Sequence, residues 1–344
     1  MKRLEAPGCF TRLIDEFGLT ALAKECHLSN SAASDATKEQ RIDWFRCMPF
    51  FAMHFMCLGV IWVGWSWVAV GVALLLYFVR MFAITGFYHR YFSHKTFKTS
   101  RFVQFALALA GNAAVQRGPL WWAAHHRAHH NHSDDEKDVH SPHHHSFMWS
   151  HMFWITTREN HKTKLEAIPD LAKYPELRVI DRHDWLVPTV LGVGMLVLGM
   201  LLNYWFPTLG TSGMQMLVWG FFVSTIVLFH ATCTINSLSH LFGKKRFRTQ
   251  DQSRNNIWLA FLTLGEGWHN NHHFYPASTR QGFYWWEVDI TYYMLWCMAR
   301  LRLIWDLQPV PARIYHTARE QRYRQRQSAG SVPAVRLARR LPNE

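Results

Sequence analysis

The chain reads as an all-α membrane protein: four transmembrane helices with a cytoplasmic helical domain that carries clustered histidines. Three observations predict this. Two long apolar runs are each long enough to cross a bilayer and return. Lys and Arg are missing from both short outer loops and abundant in every segment on the other side. The 22 histidines include two triplets at helical spacing on that basic side.

Taken in order, residues 1–47 form a cytoplasmic arm, with an amphipathic helix over 10–27 and a Ser- and Ala-rich linker over 29–38. Glu5, Asp15 and Glu16 break up the start, so no secretory signal is read there. The membrane-bound domain spans 48–310. Its first apolar run gives spans over 48–65 and 67–88, turning at Gly64-Trp65-Ser66-Trp67, where tryptophan suits the membrane interface. The second gives spans over 185–205 and 214–232, joined by the uncharged 206–213. The positive-inside rule then places both termini and the central segment in the cytoplasm, for a multi-pass protein of the inner or cell membrane.

Two weaker apolar stretches, 102–124 and 283–305, carry Arg117, Glu287, Asp289, Arg300 and Arg302. Charge is costly inside a bilayer, so both read as helices on the membrane surface or packed in the cytoplasmic domain. Residues 311–344 read as a disordered basic tail attracted to anionic headgroups; from Arg313 onward they hold eight arginines. The six cysteines are scattered and form no CxxC pair, so neither a thiolate metal site nor a disulfide framework is suggested. The net charge of +13 accompanies no nucleic-acid-binding signature, so membrane lipid is the nearest partner and nucleic acid is not expected.

Nine histidines stand at ligand spacing. His126, His129 and His130 lie at i, i+3 and i+4, as do His269, His272 and His273, so each triplet shares one helix face and suits one metal site. His89 and His94 end the second span. Five residues apart, they do not share an α-helical face and so suit different metals. His240 follows the fourth span, with Asn236 one turn before it. Neutral imidazole suits iron, zinc or copper, and nine ligands suit two ions of four or five each. Asp134, Asp135, Asp138 and His140 are placed to hold the outer ring N–H groups. His54, His132, His183 and His230 read as structural or surface residues, and 143–145 as a surface loop.

At these residues the chain resembles the membrane-bound fatty acyl desaturases, of the stearoyl-CoA Δ9 type and in a bacterial form. The three histidine boxes of that family stand here as His89-Arg90-Tyr91-Phe92-Ser93-His94, His126-Arg127-Ala128-His129-His130 and His269-Asn270-Asn271-His272-His273. The Gly265-Glu266-Gly267-Trp268 lead-in and Asn236-Ser237-Leu238-Ser239-His240 resemble the Δ9 branch in particular. The resemblance implies a di-iron centre of two Fe(2+) ions on the nine histidines, with Asn236 holding a metal-bound water. It implies O2-dependent insertion of a cis double bond, at Δ9, into a saturated acyl chain carried on coenzyme A or a membrane lipid. A separate electron donor, ferredoxin-like or another redox protein with its reductase, must supply the electrons. The chain departs from the animal members at His125, Val139 and 143–164.

Trp122 and Trp268 are expected to wall the acyl chain, and Arg127, with Arg90 and Lys95, to meet an anionic head group. Two other functions are compatible with histidine clusters. Hydroxylation would use the same site, and a membrane metal carrier or sensor would bind zinc. The carrier reading is disfavoured because the clusters lie outside the spans and no ionisable path crosses them.

Overall fold

The computed structural model describes residues 42–330, and of 322–330 the backbone alone. The amphipathic 10–27 stretch, the 29–38 linker and the end of the tail lie outside the described residues. Those described divide into two compact units. The smaller joins 42–47 to 155–162, where Ile42 bridges Thr157 and the Asp43 N–H donates to the Thr156 carbonyl at 2.9 Å. The sequence placed 155–162 within the larger domain.

Among the described residues four helices are long and apolar enough to cross a membrane: α1 (Trp44–Val63), α2 (Trp67–Ser93), α7 (Leu186–Trp205) and α8 (Gly213–Leu241). Between the two pairs lie β1 (Lys98–Thr99), α3 (Arg101–Asn112), α4 (Pro119–His132), α5 (Phe147–His151) and α6 (Pro175–Arg182). After α8 come α9 (Ile257–Leu262), α10 (His269–Phe274), α11 (Ile290–Arg300), β2 (Ile304–Trp305) and α12 (Ala312–Gly330). The two strands form a single antiparallel pairing of two residues each.

The spans are not equivalent. Half of the apolar window of α2 and of α8 is buried by protein, against 6% for α1 and 17% for α7. Thus α2 and α8 form the inner pair, while α1 and α7 present most of their surface outward. Gly64, at φ 70°, turns the chain out of α1, and the Ser66 hydroxyl caps α2 by accepting the Ala69 N–H. Ser212 and Gln215 cap α8 reciprocally. The buried Arg80 of α2 donates to Thr225 and Ser224 of α8, which satisfies its guanidinium between the two helices.

Both inner helices run on past the predicted ends of their spans, α2 to Ser93 and α8 to Leu241. These extensions are packed, not solvated: Tyr88, Phe92, Leu107, Leu120 and Leu177 form one core beneath them. The weaker apolar stretches become α3, α4 and α11, none of which is a candidate span. Gly111 of α3 lies where a Cβ would come 2.1 Å from the Tyr88 ring, so only glycine lets α3 approach α2 this closely.

The basic tail departs from its predicted disorder. Residues 312–330 are helical, with Ile314 and Ala318 buried against Phe247 and Phe283 and the Tyr315 hydroxyl donating to the Phe283 carbonyl. Arginine density hid a short apolar face: Ile314 and Ala318 are one turn apart.

Candidate metal centre

The extended end of α2 shows why sequence spacing misleads at His89 and His94. From Ala83 to Ser93 the helix has π winding, and the His94 N–H donates to the His89 carbonyl, five residues back. With i→i+5 closure, residues five apart lie on one face. The two rings are 4.9 Å apart between centroids, and they join the same cluster. The assignment of His89 and His94 to different metals is therefore corrected.

Two groups of ring nitrogens result. The first gathers His89, His94, His126, His130 and His272; the second gathers His129, His240, His269 and His273. Within each group the candidate ligand atoms all lie within 4.8 Å of one another. The Nε2 atoms of His89 and His272 are 3.1 Å apart, those of His94 and His126 2.8 Å, and those of His130 and His272 2.9 Å. In the second group the Nε2 atoms of His240 and His269 are 3.0 Å apart. Nitrogens bound about 2.1 Å from one ion stand roughly 3 Å apart at usual coordination angles. The Nε2 of His273 is buried without a hydrogen-bond partner. These atoms fit ions, and the donor set, imidazole alone, fits iron or a neighbouring first-row metal.

Neither triplet stays together. In α4 the pair His126 and His130 goes to the first group and His129 to the second; in α10 the pair His269 and His273 goes to the second and His272 to the first. On a real helix the i and i+4 rings point almost alike, and the ring between them is rotated toward the neighbouring group. The reading of each triplet as one site thus gives way to two crossed triplets.

Carboxylates stand behind the rings. Asp134 holds Nδ1 of His240 at 2.7 Å, Asp138 holds that of His129 at 3.1 Å, and Asp251 that of His273 at 2.7 Å. Glu266 holds Nδ1 of His89 at 2.5 Å. His140 lies 3.0 Å from the other oxygen of Asp138. The sequence named Asp134, Asp138 and His140 for this role and missed Asp251 and Glu266. Glu266 stood in plain view three residues before His269, whereas nothing in the polar 249–254 stretch marked Asp251. Asp135 instead lies at the exposed surface and pairs with half-buried His132.

Burial raises the carboxyl pKa of Asp134, Asp138 and Asp251, but their histidine partners outweigh it and hold all three well below the usual range. Burial, then the surrounding imidazoles, pushes His94, His126, His130, His269 and His272 far below their ordinary value. Burial lowers His273 to about 4 although Asp251 opposes it. Neutral rings with Nε2 lone pairs turned inward are the form that binds metal.

The remaining expectations divide. Asn236 is half-buried one turn before His240 on α8. Trp122 stacks on the His126 ring at 5.0 Å, and Trp268 is buried with its indole N–H on the Val288 carbonyl. Arg127 is committed within the protein: it pairs with Asp170 and donates to the Ser93 and Phe92 carbonyls, so it clamps the end of α2 instead of meeting a head group. Arg90 is fully buried between Glu266 and Asp289, and Lys95 pairs with Asp170. His54 and His230, read as structural, form a chain with His151: 3.2 Å from His54 to His230, 3.0 Å on to His151, and 2.9 Å to the Ser237 hydroxyl.

A four-span helical membrane protein with two converging imidazole groups defines a narrow class, and comparison with known proteins places the chain within it. The fatty acid desaturase profile matches residues 65–299. The chain is 36% identical to the sn-1 stearoyl-lipid 9-desaturase of Anabaena variabilis over 75% of its own length and 90% of that protein. It is 34% identical to Delta-9 acyl-lipid desaturase 1 of Arabidopsis thaliana, covering 79% and 85% of the two chains. With the Acyl-CoA 5-desaturase AL21 of Anemone leveillei it shares 33% identity over 87% and 94%. The chain belongs to the fatty acid desaturase family and is an oxidoreductase acting on fatty acyl chains.

Proposed function

We propose that the protein inserts a cis double bond at the Δ9 position of a saturated acyl chain esterified in a membrane lipid. It does so with O2, two Fe(2+) ions and electrons from a separate redox protein. The single observation that carries the reading is the convergence of nine histidines into groups of five and four. The Δ9 position and the lipid carrier rest on the two acyl-lipid 9-desaturases to which the chain is similar. The Lys and Arg residues of the arm and central segment, set against none in the short outer loops, support a cytoplasmic position for both termini and the metal centre.

In this reading His89, His94, His126, His130 and His272 hold one ion, and His129, His240, His269 and His273 the other, with Asn236 contributing through water. The iron pair supplies, with O2, an oxidant strong enough for an unactivated C–H bond, which no side-chain acid or base can break. The protein's own part is positional. Asp134, Asp138, Asp251 and Glu266 keep a proton on Nδ1 of His240, His129, His273 and His89, so Nε2 stays free to ligate. Their charge also offsets part of that of two ions among neutral ligands. Trp122, packed on His126, helps keep water from the rings, and an acidic redox protein suits the basic cytoplasmic face. In balance, the acyl chain loses two hydrogens, and O2 takes these with two electrons and two protons to give two waters.

The test is to express the chain in cells that lack a Δ9 desaturase and profile their lipids by gas chromatography. A Δ9 monoene that requires O2 and disappears with His129→Ala is expected. A hydroxylated product, or an unchanged yield from the variant, would contradict the reading.

A further inference from the structure

A cavity of about 530 Å3 opens against Trp268, the residue before His269. One wall is cationic, from Lys244, Lys245 and Arg246; Trp268, Asn255 and Ile257 also line it. From it we propose that the protein holds the phosphate of an anionic phospholipid there, as the head of the acyl lipid on which it acts. The proposal rests on the acyl-lipid reading above and specifies where the head of that lipid sits.

The cavity is connected to α10 through a short network of backbone bridges and asparagines. Lys244 bridges Asn255, and Asn255 bridges Trp268, so the basic strand and the residue before His269 are adjacent rungs. The Asn270 side chain accepts the N–H groups of both Arg246 and Phe247 at 2.7 Å. Asn255 and Asn271 are joined by two hydrogen bonds, at 2.7 and 3.1 Å. The cationic wall is therefore tied, through Asn255 and Asn270, to the helix that carries His269 and His272.

Its chemistry asks for an anion. Arg246 lies over the Tyr284 ring and gives Nη2 to Glu287, which leaves Nε and Nη1 buried with no acceptor. Buried donors without acceptors are costly, and an anion drawn in at the Nε edge would relieve one of them. The carboxylates nearby are already engaged: Asp251 with His273, Ser253 and Thr249, and Glu287 with Arg246 and Asn271. Lys244 is exposed and makes no ion pair among the described residues, and the Lys245 ammonium meets only the Asp251 carbonyl.

The other wall points to lipid as the source of the phosphate. Ile257 begins α9, whose Trp258, Phe261 and Leu262 are exposed, Trp258 at 78%. An exposed tryptophan among aliphatic residues, beside lysines and an arginine, is the pattern of a membrane interface. A soluble protein docking by charge needs no such apolar rim and no deep cavity.

The test uses the purified, iron-loaded full chain in neutral detergent. Short-chain phosphatidylglycerol, coenzyme A and inorganic phosphate are titrated separately by calorimetry, with an acidic [2Fe–2S] ferredoxin as a fourth probe. Phosphatidylglycerol is expected to bind tightest, and K244Q/K245Q to weaken it about tenfold, as expected when two charge-assisted contacts are lost among several. R246Q should weaken it more, with iron content unchanged in both variants. Equal binding by the surface double variant and the wild type would overturn the proposal. So would tighter binding of coenzyme A or free phosphate than of the lipid, or a charge-dependent response to ferredoxin alone. Binding is read without turnover, so a protein that makes no monoene but loses lipid affinity in the variants refutes the desaturase reading and keeps this one.

Discussion

The two imidazole groups, built from the same boxes, are supported differently. The group of four has an aspartate behind three of its rings, at His129, His240 and His273. The group of five has one carboxylate, Glu266, behind His89. Fewer rings with stronger backing stand beside more rings with weaker backing. A carboxylate on Nδ1 raises ring basicity and fixes orientation, so three such contacts compensate for one missing ligand.

The largest effects should come from breaking the crossing itself. His272 and His273 are sequence neighbours that serve different groups. In the proposed centre His272→Ala and His273→Ala should each reduce iron from two per chain toward one and abolish the product. Mössbauer spectra should then lose different components in the two variants. Loss of the same component from both would break the comparison.

Next are the supporting carboxylates. Asp138→Asn and Asp251→Asn should lower iron affinity at the group of four by about 10- to 100-fold, and Glu266→Gln should act on the group of five alone. Chelator competition with both iron sites resolved measures this; a uniform loss from all three variants would show that the groups are not separately supported.

Acid should act on the iron-free protein in a defined direction. His273 has a folded pKa of about 4 against an ordinary 6.5. Above about 6.5 both folded and unfolded rings are neutral, and no pH dependence arises from this residue. Between 6.5 and 4 only the unfolded chain takes the proton, so stability falls as pH falls, levelling below about 4. The other depressed rings add in the same sense. Thermal melts of apoprotein across this range should show the decline, and bound iron should suppress it until the metal leaves.

The smallest expected effect is at Gly111. A methyl group there meets the Tyr88 ring, next to His89. Gly111→Ala should cost about 1–3 kcal/mol through overpacking. It should disturb the group of five before the group of four, as resolved iron occupancies would register.

Much of this was legible in the sequence, and the exceptions share a cause. Apolar length marked the four spans, and spacing marked the nine histidines, because both depend on regular α-helix. The π winding of 83–93 is written in no local pattern: it inserts a residue into a turn for the sake of tertiary packing, and so it reversed the reading of His89 and His94. Asp251 becomes a neighbour of His273 only through the fold, 22 residues away in sequence. Arg127 looked like a free cation because its partners, Asp170 and two carbonyls at the end of α2, come together only when the chain packs. Local periodicity thus identified the ligand-bearing helices, while long-range contacts decided how the ligands were shared.

Iron analysis combined with iron-edge X-ray absorption on the purified protein tests that sharing most directly. Two irons per chain are predicted, each in a nitrogen and oxygen shell with imidazole ring scattering and no sulfur. A single iron per chain, a stoichiometric zinc ion in its place, or a shell without imidazole would contradict the account.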